Sequence, residues 1–578
     1  MEKAFDLVLR GGSVIDGTGK PAFVADVGVK AGRIAAVGRI AAAGAEEIDA
    51  RGQLVTPGFV DVHTHYDGQA TWGEQMQPSS WHGVTTVVMG NCGVGFAPCR
   101  PNDRERVMRL MEGVEDIPFP VLDEGLPWNW ETYPDYLDSL AGRRFDLDIG
   151  GLLPHAPLRV YVMGERGANR EPATPDDIAA MAAIARQAIR AGALGFSTSK
   201  TLNHRTKDGE STPTLGAAED ELTGIAMALA AEGRGVIEYI GDYFDPAEEF
   251  AMLRRLVERS GRPLSFGLAQ ISDRPGDYKI LLQKLTEAAK AGLPMAAQAA
   301  PRAIGILFGL ELTLNPFLQH PSYAEIRDLP HAERVARLRD PDFRARLLAE
   351  GGSAERLRVI ELQKWDRMFL LGDEPDYEQA PDQTVAAIAA RQGRTPAEVA
   401  LDHMLDRDGR GILYLAFANY VSGDLSAVHE MLSHPAVVPG LSDGGAHVGT
   451  ICDGSFPTTT LVHWTRDRTR GPKLPLEEMI RKQTSYAADL VGLGDRGRIA
   501  PGYRADLNVI DYERLRLKSP QVAYDLPMGG RRLIQRAEGY TATIVAGEVT
   551  YRDGEPTGAL PGRLLRGPQS APAALAAE

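Results

Sequence analysis

Apolar residues follow two rhythms along this chain. In residues 4 to 56, "FDLVLRGGSVIDG", "ADVGVKAGRIAAVG" and "EEIDARGQLVTPG" alternate apolar and polar positions and break at glycines every ten or so residues, the pattern of short strands joined by tight turns. The same texture returns in "ADLNVIDYE" and "YTATIVAGEVTYRDGEP", which predicts one small β-sandwich assembled from both chain ends. The middle of the chain differs. There "LVTPGFVDVH", "GVTTVVMGN", "LDIGGLLP", "GALGFSTS", "GVIEYI", "PLSFGLAQ", "PMAAQAAP" and "VVPGLSDGG" are near-continuous apolar runs, as strands covered on both faces must be. They alternate with helical stretches such as "PDDIAAMAAIARQAIRAG". Eight such units predict an α/β fold, a (β/α)8 TIM barrel.

The rhythms also set boundaries. Residues 1–56 and 491–560 form the sandwich, 57–490 the barrel and 561–578 a tail. A helical insertion at about 303–436, between strands seven and eight, is far longer than a usual connection. It holds charged helices ("HAERVARLRDPDFRARLLAEGG") and is expected to cap the barrel mouth. The final stretch "RGPQSAPAALAAE" is small, polar or Ala-rich and is expected to be disordered or loosely docked.

Composition narrows the function classes. A chain of 578 residues can bury a large core and more than one domain. A net charge of −15 argues against a nucleic-acid partner, which would want a basic face. The three cysteines, Cys92, Cys99 and Cys452, make no disulfide framework and point to a reducing compartment. "MEKAFDLVLRGGSVIDG" reads as a first strand and not as a signal peptide, and no apolar run reaches membrane-spanning length. The expectation is a soluble cytoplasmic protein with neither a nucleic-acid nor a membrane partner; a homo-oligomer stays open.

In a barrel of this kind the reactive groups sit at the C-terminal ends of strands. "FVDVHTHYD" places His63 and His65 one strand period apart at the end of strand one, so both rings project from one face. Cys92 follows strand two, and Asp443 ends strand eight. These four residues, far apart in sequence, converge on one rim. Two imidazoles, a carboxylate and a thiolate suit Zn2+ and leave room for a water. Water on such an ion ionises near pH 7, and a carboxylate beside it, here Asp443, can carry its proton to a departing amine. Each residue also has an ordinary reading: Asp443 as a turn residue in Asp-Gly-Gly, Cys92 as a small buried hydrophobe, the histidines as satisfied core polar groups.

The segments "PGFVDVHTHYD", "GVTTVVMGNCGVGFAP", "GALGFSTSKTLNHR", "AAPR", "LSDGGAHVG" and "RGRIAPGYRADLNVID" resemble the amidohydrolase superfamily, in its N-acyl-D-amino-acid deacylase (D-aminoacylase) branch. The resemblance runs from about residue 5 to 560. It implies a metal-bearing barrel, a sandwich built from both ends, and hydrolysis of an acyl amide on a D-amino acid, a small-molecule amide substrate. It carries metal ligation to His63, His65 and Cys92, and the catalytic carboxylate, also a ligand, to Asp443. The chain departs from the family at strands five and six, where relatives place metal-binding histidines: no histidine occurs between His204 and His320. Strand five offers Glu238 and Tyr239, strand six Gln270. One zinc ion is therefore favoured; a second would need Glu238, or Lys200 at the end of strand four, whose ordinary reading is a surface or substrate-facing lysine. Substrate contacts are sought in Arg302, a cation for a carboxylate, in His447 on the strand-eight loop, and in Asn419 and Tyr420 on the insertion. The runner-up functions are hydrolysis of a carbamate, cyclic amide or lactone, or a non-catalytic scaffold on the same fold.

Overall fold

The computed structural model describes residues 4–350 and 361–573. Its centre is an eight-stranded sheet. In chain order the strands are Phe59–Asp61, Val84–Met89, Asp148–Pro154, Gly195–Lys200, Val236–Gly241, Leu264–Gly267, Met295–Ala299 and Val437–Pro439. Every neighbouring pair is parallel. The barrel closes beyond strands one and eight, where Thr64 bridges Gly444 and the His65 N–H donates to the Gly444 carbonyl at 2.8 Å. Each of the eight apolar runs supplies one strand of this barrel sheet. Helices cover the outside: Pro175–Ala191 starts on a Thr174/Asp177 capping box and stops at Gly192 with φ +118°.

The run "LVTPGFVDVH" is not a single strand as expected. Leu54–Pro57 pairs with Phe5–Val14 and Leu507–Ile510 in a second sheet, and only Phe59–Asp61 enters the barrel. Gly58 makes the switch, because a Cβ there would stand 2.2 Å from Thr85 Oγ1. That second sheet has nine strands, drawn from both chain ends. Leu7, Leu9, Val27, Val29 and Val55 share its core with Leu507, Val509 and Ile544. It is joined to the barrel by buried charge: Asp148, at the start of strand three, accepts from Arg496 at 2.7 Å and Arg504 at 3.0 Å, and Arg504 also reaches Asp506 at 3.1 Å.

The insertion contains the charged helices His331–Arg339 and Pro341–Ala349, although Gly351 and Gly352 of the predicted stretch lie outside the described residues. It also holds a three-stranded antiparallel sheet that a purely helical reading missed: Ile304–Phe308, Ile412–Ala418 and Met368–Leu371. The insertion leans on the loops after strands six and eight through Asn419 N–H to the Gln270 carbonyl (2.9 Å) and Leu307 N–H to the Thr450 carbonyl (2.8 Å). The C-terminal stretch is not loose over its described part. Gly567 N–H bonds the Gly192 carbonyl at 2.8 Å, and Gln569 pairs with Gly492 and Gly494 at 2.9 and 2.8 Å, so backbone bonds substitute for the apolar side chains it lacks. Residues 574–578 lie outside the described residues.

Glu378 anchors the insertion to the segment after strand eight. Its buried carboxylate accepts from Arg468 at 3.0 Å and faces His463 Nε2 at 2.9 Å. Burial pushes its pKa up, but His463 and Arg468 outweigh this and hold it at about 2, below the ordinary 4.5. A depressed folded-state pKa gives stability that is present above about pH 4.5 and is lost as pH falls toward 2. Glu378→Gln should therefore cost about 3 kcal/mol at neutral pH, with the deficit shrinking through that acid window. Denaturant midpoints measured from pH 6 to pH 2 test this; parallel curves for wild type and variant would remove the ion pair from the account.

Candidate metal centre

Just past strand one, His63 and His65 turn into the barrel mouth, 0% and 1% exposed, with ring centroids 5.6 Å apart. His63 Nε2 stands 3.2 Å from Asp443 Oδ1 and 3.3 Å from Cys92 Sγ. His65 Nε2 stands 3.5 Å from the same Asp443 oxygen. Two donors each about 2.1 Å from one tetrahedral ion are about 3.4 Å apart, so these are the spacings of ligands around a shared cation. The opposite ring nitrogens are turned away. His63 Nδ1 lies 3.0 Å from Gln298 Oε1, and Gln298 Nε2 donates to Ser265 Oγ at 2.9 Å. Gln298 thus presents its carbonyl oxygen, which places the proton of His63 on Nδ1 and leaves Nε2 to bind. His65 Nδ1 lies 3.5 Å from Glu115 Oε1.

The backbone is strained where these groups are presented. Cys92, Asp443 and His447 have φ of +57°, +48° and +49°, a region L residues enter rarely and at a cost that functional sites commonly carry.

Negative charge is crowded here. Burial raises Glu238 to about 7, Asp67 to about 7 and Asp61 to about 6. Burial and then nearby carboxylates push Glu115 and the Cys92 thiol well above their ordinary ranges. Asp443 goes the other way: burial pushes its carboxyl up, but His63 and His65 outweigh it and hold it low. Both nitrogens of His65, both carboxylate oxygens of Glu115 and Oε1 of Glu238 are buried with no hydrogen-bond partner among the described residues. Orphaned buried polar atoms are costly, and together they describe a place for a divalent cation. A nitrogen, sulfur and carboxylate donor set fits zinc.

Residues 46 to 551 match the model of the Amidohydrolase family. The chain belongs to the amidohydrolase family. It is 28% identical to the D-aminoacylase of Alcaligenes xylosoxydans xylosoxydans, over 97% of each chain. It is 30% identical to the N-acyl-D-aspartate deacylase of the same organism, over 97% of this chain and 95% of that one. Among solved structures, a D-aminoacylase with a binuclear metal centre, described by one-metal activation and second-metal attenuation, matches with a TM-score of 0.65 at 26% identity, covering 97% of this chain and all of that one. This amidohydrolase is a metal-dependent enzyme that hydrolyses amides.

The fold brings together His63, His65, Cys92 and Asp443, and adds Glu238, whose Oε2 accepts the Cys92 N–H at 3.1 Å while Oε1 lies 3.8 Å from His63 Nδ1. Lys200 is not in the group, because its amine donates to the Ala217 carbonyl at 3.0 Å. Gln270 is bound to the insertion: its N–H reaches Asn419 Oδ1 at 2.7 Å and its Oε1 accepts from Val421 N–H at 3.2 Å. Arg302 is not the free cation expected. It is 2% exposed, ion-paired with Asp453 and flanked by the Tyr377 and Phe456 rings at 3.8 and 4.9 Å, so its charge is already committed. Tyr420 is likewise held in the insertion, donating to the Gln379 carbonyl and accepting from Arg470 at 2.8 Å. Asn419 works between strand six and the insertion. Of the four substrate candidates only His447 stays accessible at the rim, with a 30% exposed side chain.

Three features escaped the sequence reading. Glu115 closes the helix Arg104–Glu115 and is buried against His65. His204 lies near the site histidines; burial, then His447 and His65, lower its pKa to about 3. Its place in the loop after strand four was the available signal. The hairpin Gln521–Leu526/Gly530–Ile534 does not pair with the nine-stranded sheet. It reaches the barrel mouth, where the Leu533 N–H bonds the Val448 carbonyl at 2.6 Å, and Arg532 and Leu533 line a cavity with Asp443, Gly445, Val448 and Ile451.

Replacing His63 and His65 together by Asn should abolish stoichiometric metal binding and hydrolysis while leaving the far-ultraviolet circular dichroism spectrum unchanged. A folded double variant that kept bound metal and activity would place the centre elsewhere.

Proposed function

We propose that this enzyme deacylates an N-acyl-D-amino acid or a closely related amide, at a centre holding one zinc ion through His63, His65, Cys92 and Asp443. The observation that carries this reading is the meeting of two imidazole nitrogens at a single carboxylate oxygen, 3.2 and 3.5 Å away, inside the barrel mouth. An ion bound there supplies Lewis acidity toward the acyl carbonyl and lowers the pKa of water. Asp443 does the proton work. Its side chain is 23% exposed where the two histidines are 1% exposed, so it is the group of the three that reaches the cavity. With Oδ1 turned to the imidazoles, its second oxygen takes a proton from the attacking water and returns it to the leaving nitrogen. The cavity that Asp443 lines is walled by apolar Ala446, Val448, Ile451 and Leu533 and by polar Gln69, Asp453 and Arg532.

A single ion is supported by what strands five and six supply. Glu238 is turned to the Cys92 N–H, Gln270 to the insertion and Lys200 to a backbone carbonyl, and none of the three brings an imidazole. The similar D-aminoacylase, whose binuclear centre is described by one-metal activation and second-metal attenuation, supports the single-ion reading. Among the described residues no helix is long and apolar enough to cross a membrane.

Purified enzyme tested on N-acetyl-D- and N-acetyl-L-amino acids, a cyclic amide, a carbamate and a lactone checks the assignment. Release of the free D-amino acid, with the L series at least tenfold slower, is the predicted result. Preference for any of the last three would move the substrate to that class. Asp443→Asn at saturating zinc should lower kcat by about 10²–10⁴-fold, the usual weight of a general acid–base group. A loss under tenfold would take the proton transfer away from Asp443.

A further inference from the structure

Glu115 lies where an ionised carboxylate is hardest to hold. It is the last residue of the helix Arg104–Glu115, so the negative end of the helix dipole opposes its charge. It is 1% exposed, and the charged groups that raise its pKa are two more carboxylates, Asp443 and Asp67. No lysine or arginine pairs with it among the described residues. What faces it instead are two imidazoles: Oε1 lies 3.5 Å from His65 Nδ1 and Oε2 lies 3.5 Å from His447 Nε2. Its backbone carbonyl also accepts the His447 N–H, and the next residue, Asp116, accepts the Gly449 N–H at 3.2 Å. The end of this helix is therefore fastened to the loop that carries Asp443.

The two nitrogens of His65 divide the work. Nε2 shares an Asp443 oxygen with His63 Nε2, the position of an ion ligand, and a neutral imidazole that ligates through Nε2 carries its proton on Nδ1. The group that faces that proton is Glu115, whose Oε1 lies 3.5 Å from Nδ1, in ion-pair range but outside hydrogen-bond geometry. We propose that Glu115 is a positioning residue of the metal centre: it fixes the tautomer and orientation of His65, raises that imidazole's basicity toward the ion, and holds His447 on the rim with its other oxygen. Carboxylates in this relation to a ligating histidine commonly account for about 10–100-fold in metal affinity.

This inference rests on the proposed metal centre, and one experiment separates the two. Zinc affinity is measured by chelator competition on wild type, Glu115→Gln and Glu115→Asp, alongside the melting temperature of each apoprotein. Both variants should bind the same number of ions as wild type but about 10–100-fold more weakly, with each apoprotein still melting in one cooperative transition. Either folded variant binding zinc with wild-type affinity would overturn the role given to Glu115 and leave the centre standing. A wild type that binds no zinc would overturn the centre itself, and this inference with it. Should one variant fail to fold, the other carries the same reading.

Discussion

Negative charge gathered inside an apolar barrel mouth is the constraint that organises this molecule. Asp61, Asp67, Glu115, Glu238 and Asp443 all approach two histidines and a cysteine, and all but Asp443 are almost wholly enclosed. Left to themselves such groups protonate, and burial does draw Glu238 and Asp67 toward neutral pH. A cation reverses that preference and turns a destabilising arrangement into a binding site. The spacing of the Nε2, Oδ1 and Sγ atoms, close to that of ligands on one tetrahedral ion, is the structural sign that the arrangement is built for one.

The rest of the fold holds that geometry against its own repulsion. Gln298 bonds His63 Nδ1 from behind, and Glu115 Oε1 faces His65 Nδ1 at 3.5 Å. Left-handed backbone at Cys92 and Asp443 presents both groups into the mouth, at a cost that the surrounding packing absorbs. Farther out, Arg496 and Arg504 tie the start of strand three to the sheet domain, and Glu378 ties the insertion to the segment after strand eight. The mouth is thus walled by elements from distant parts of the sequence. One of them, the hairpin ending at Ile534, comes from within residues 491–560, the span assigned from sequence to the sandwich.

What the sequence made legible follows from periodicity. Eight apolar runs gave eight strands because a strand buried on both faces has to be apolar throughout, and HxH at the end of one of them put two rings on one face. What stayed hidden depends on tertiary contacts. Nothing in "LVTPGFVDVH" marks Gly58 as a crossing between two sheets, since the reason lies in Thr85 on another strand. Glu115 reads as the polar end of an amphipathic helix, and only the docking of that helix on the strand-eight loop puts it behind His65. Arg302 reads as a free cation because its partner, Asp453, is distant in sequence. The lack of any histidine between His204 and His320 is legible in the sequence, and in the fold Glu238 accepts the Cys92 N–H while Gln270 holds the insertion.

The measurement that bears most directly on this account is the metal content of the purified chain, by elemental analysis on protein prepared without chelator or added metal. The account predicts about one zinc ion per chain. About two would mean that Glu238 or another carboxylate completes a second position. No stoichiometric metal, even after reconstitution with zinc, would contradict the account, because the buried carboxylates would then have no cation to justify them.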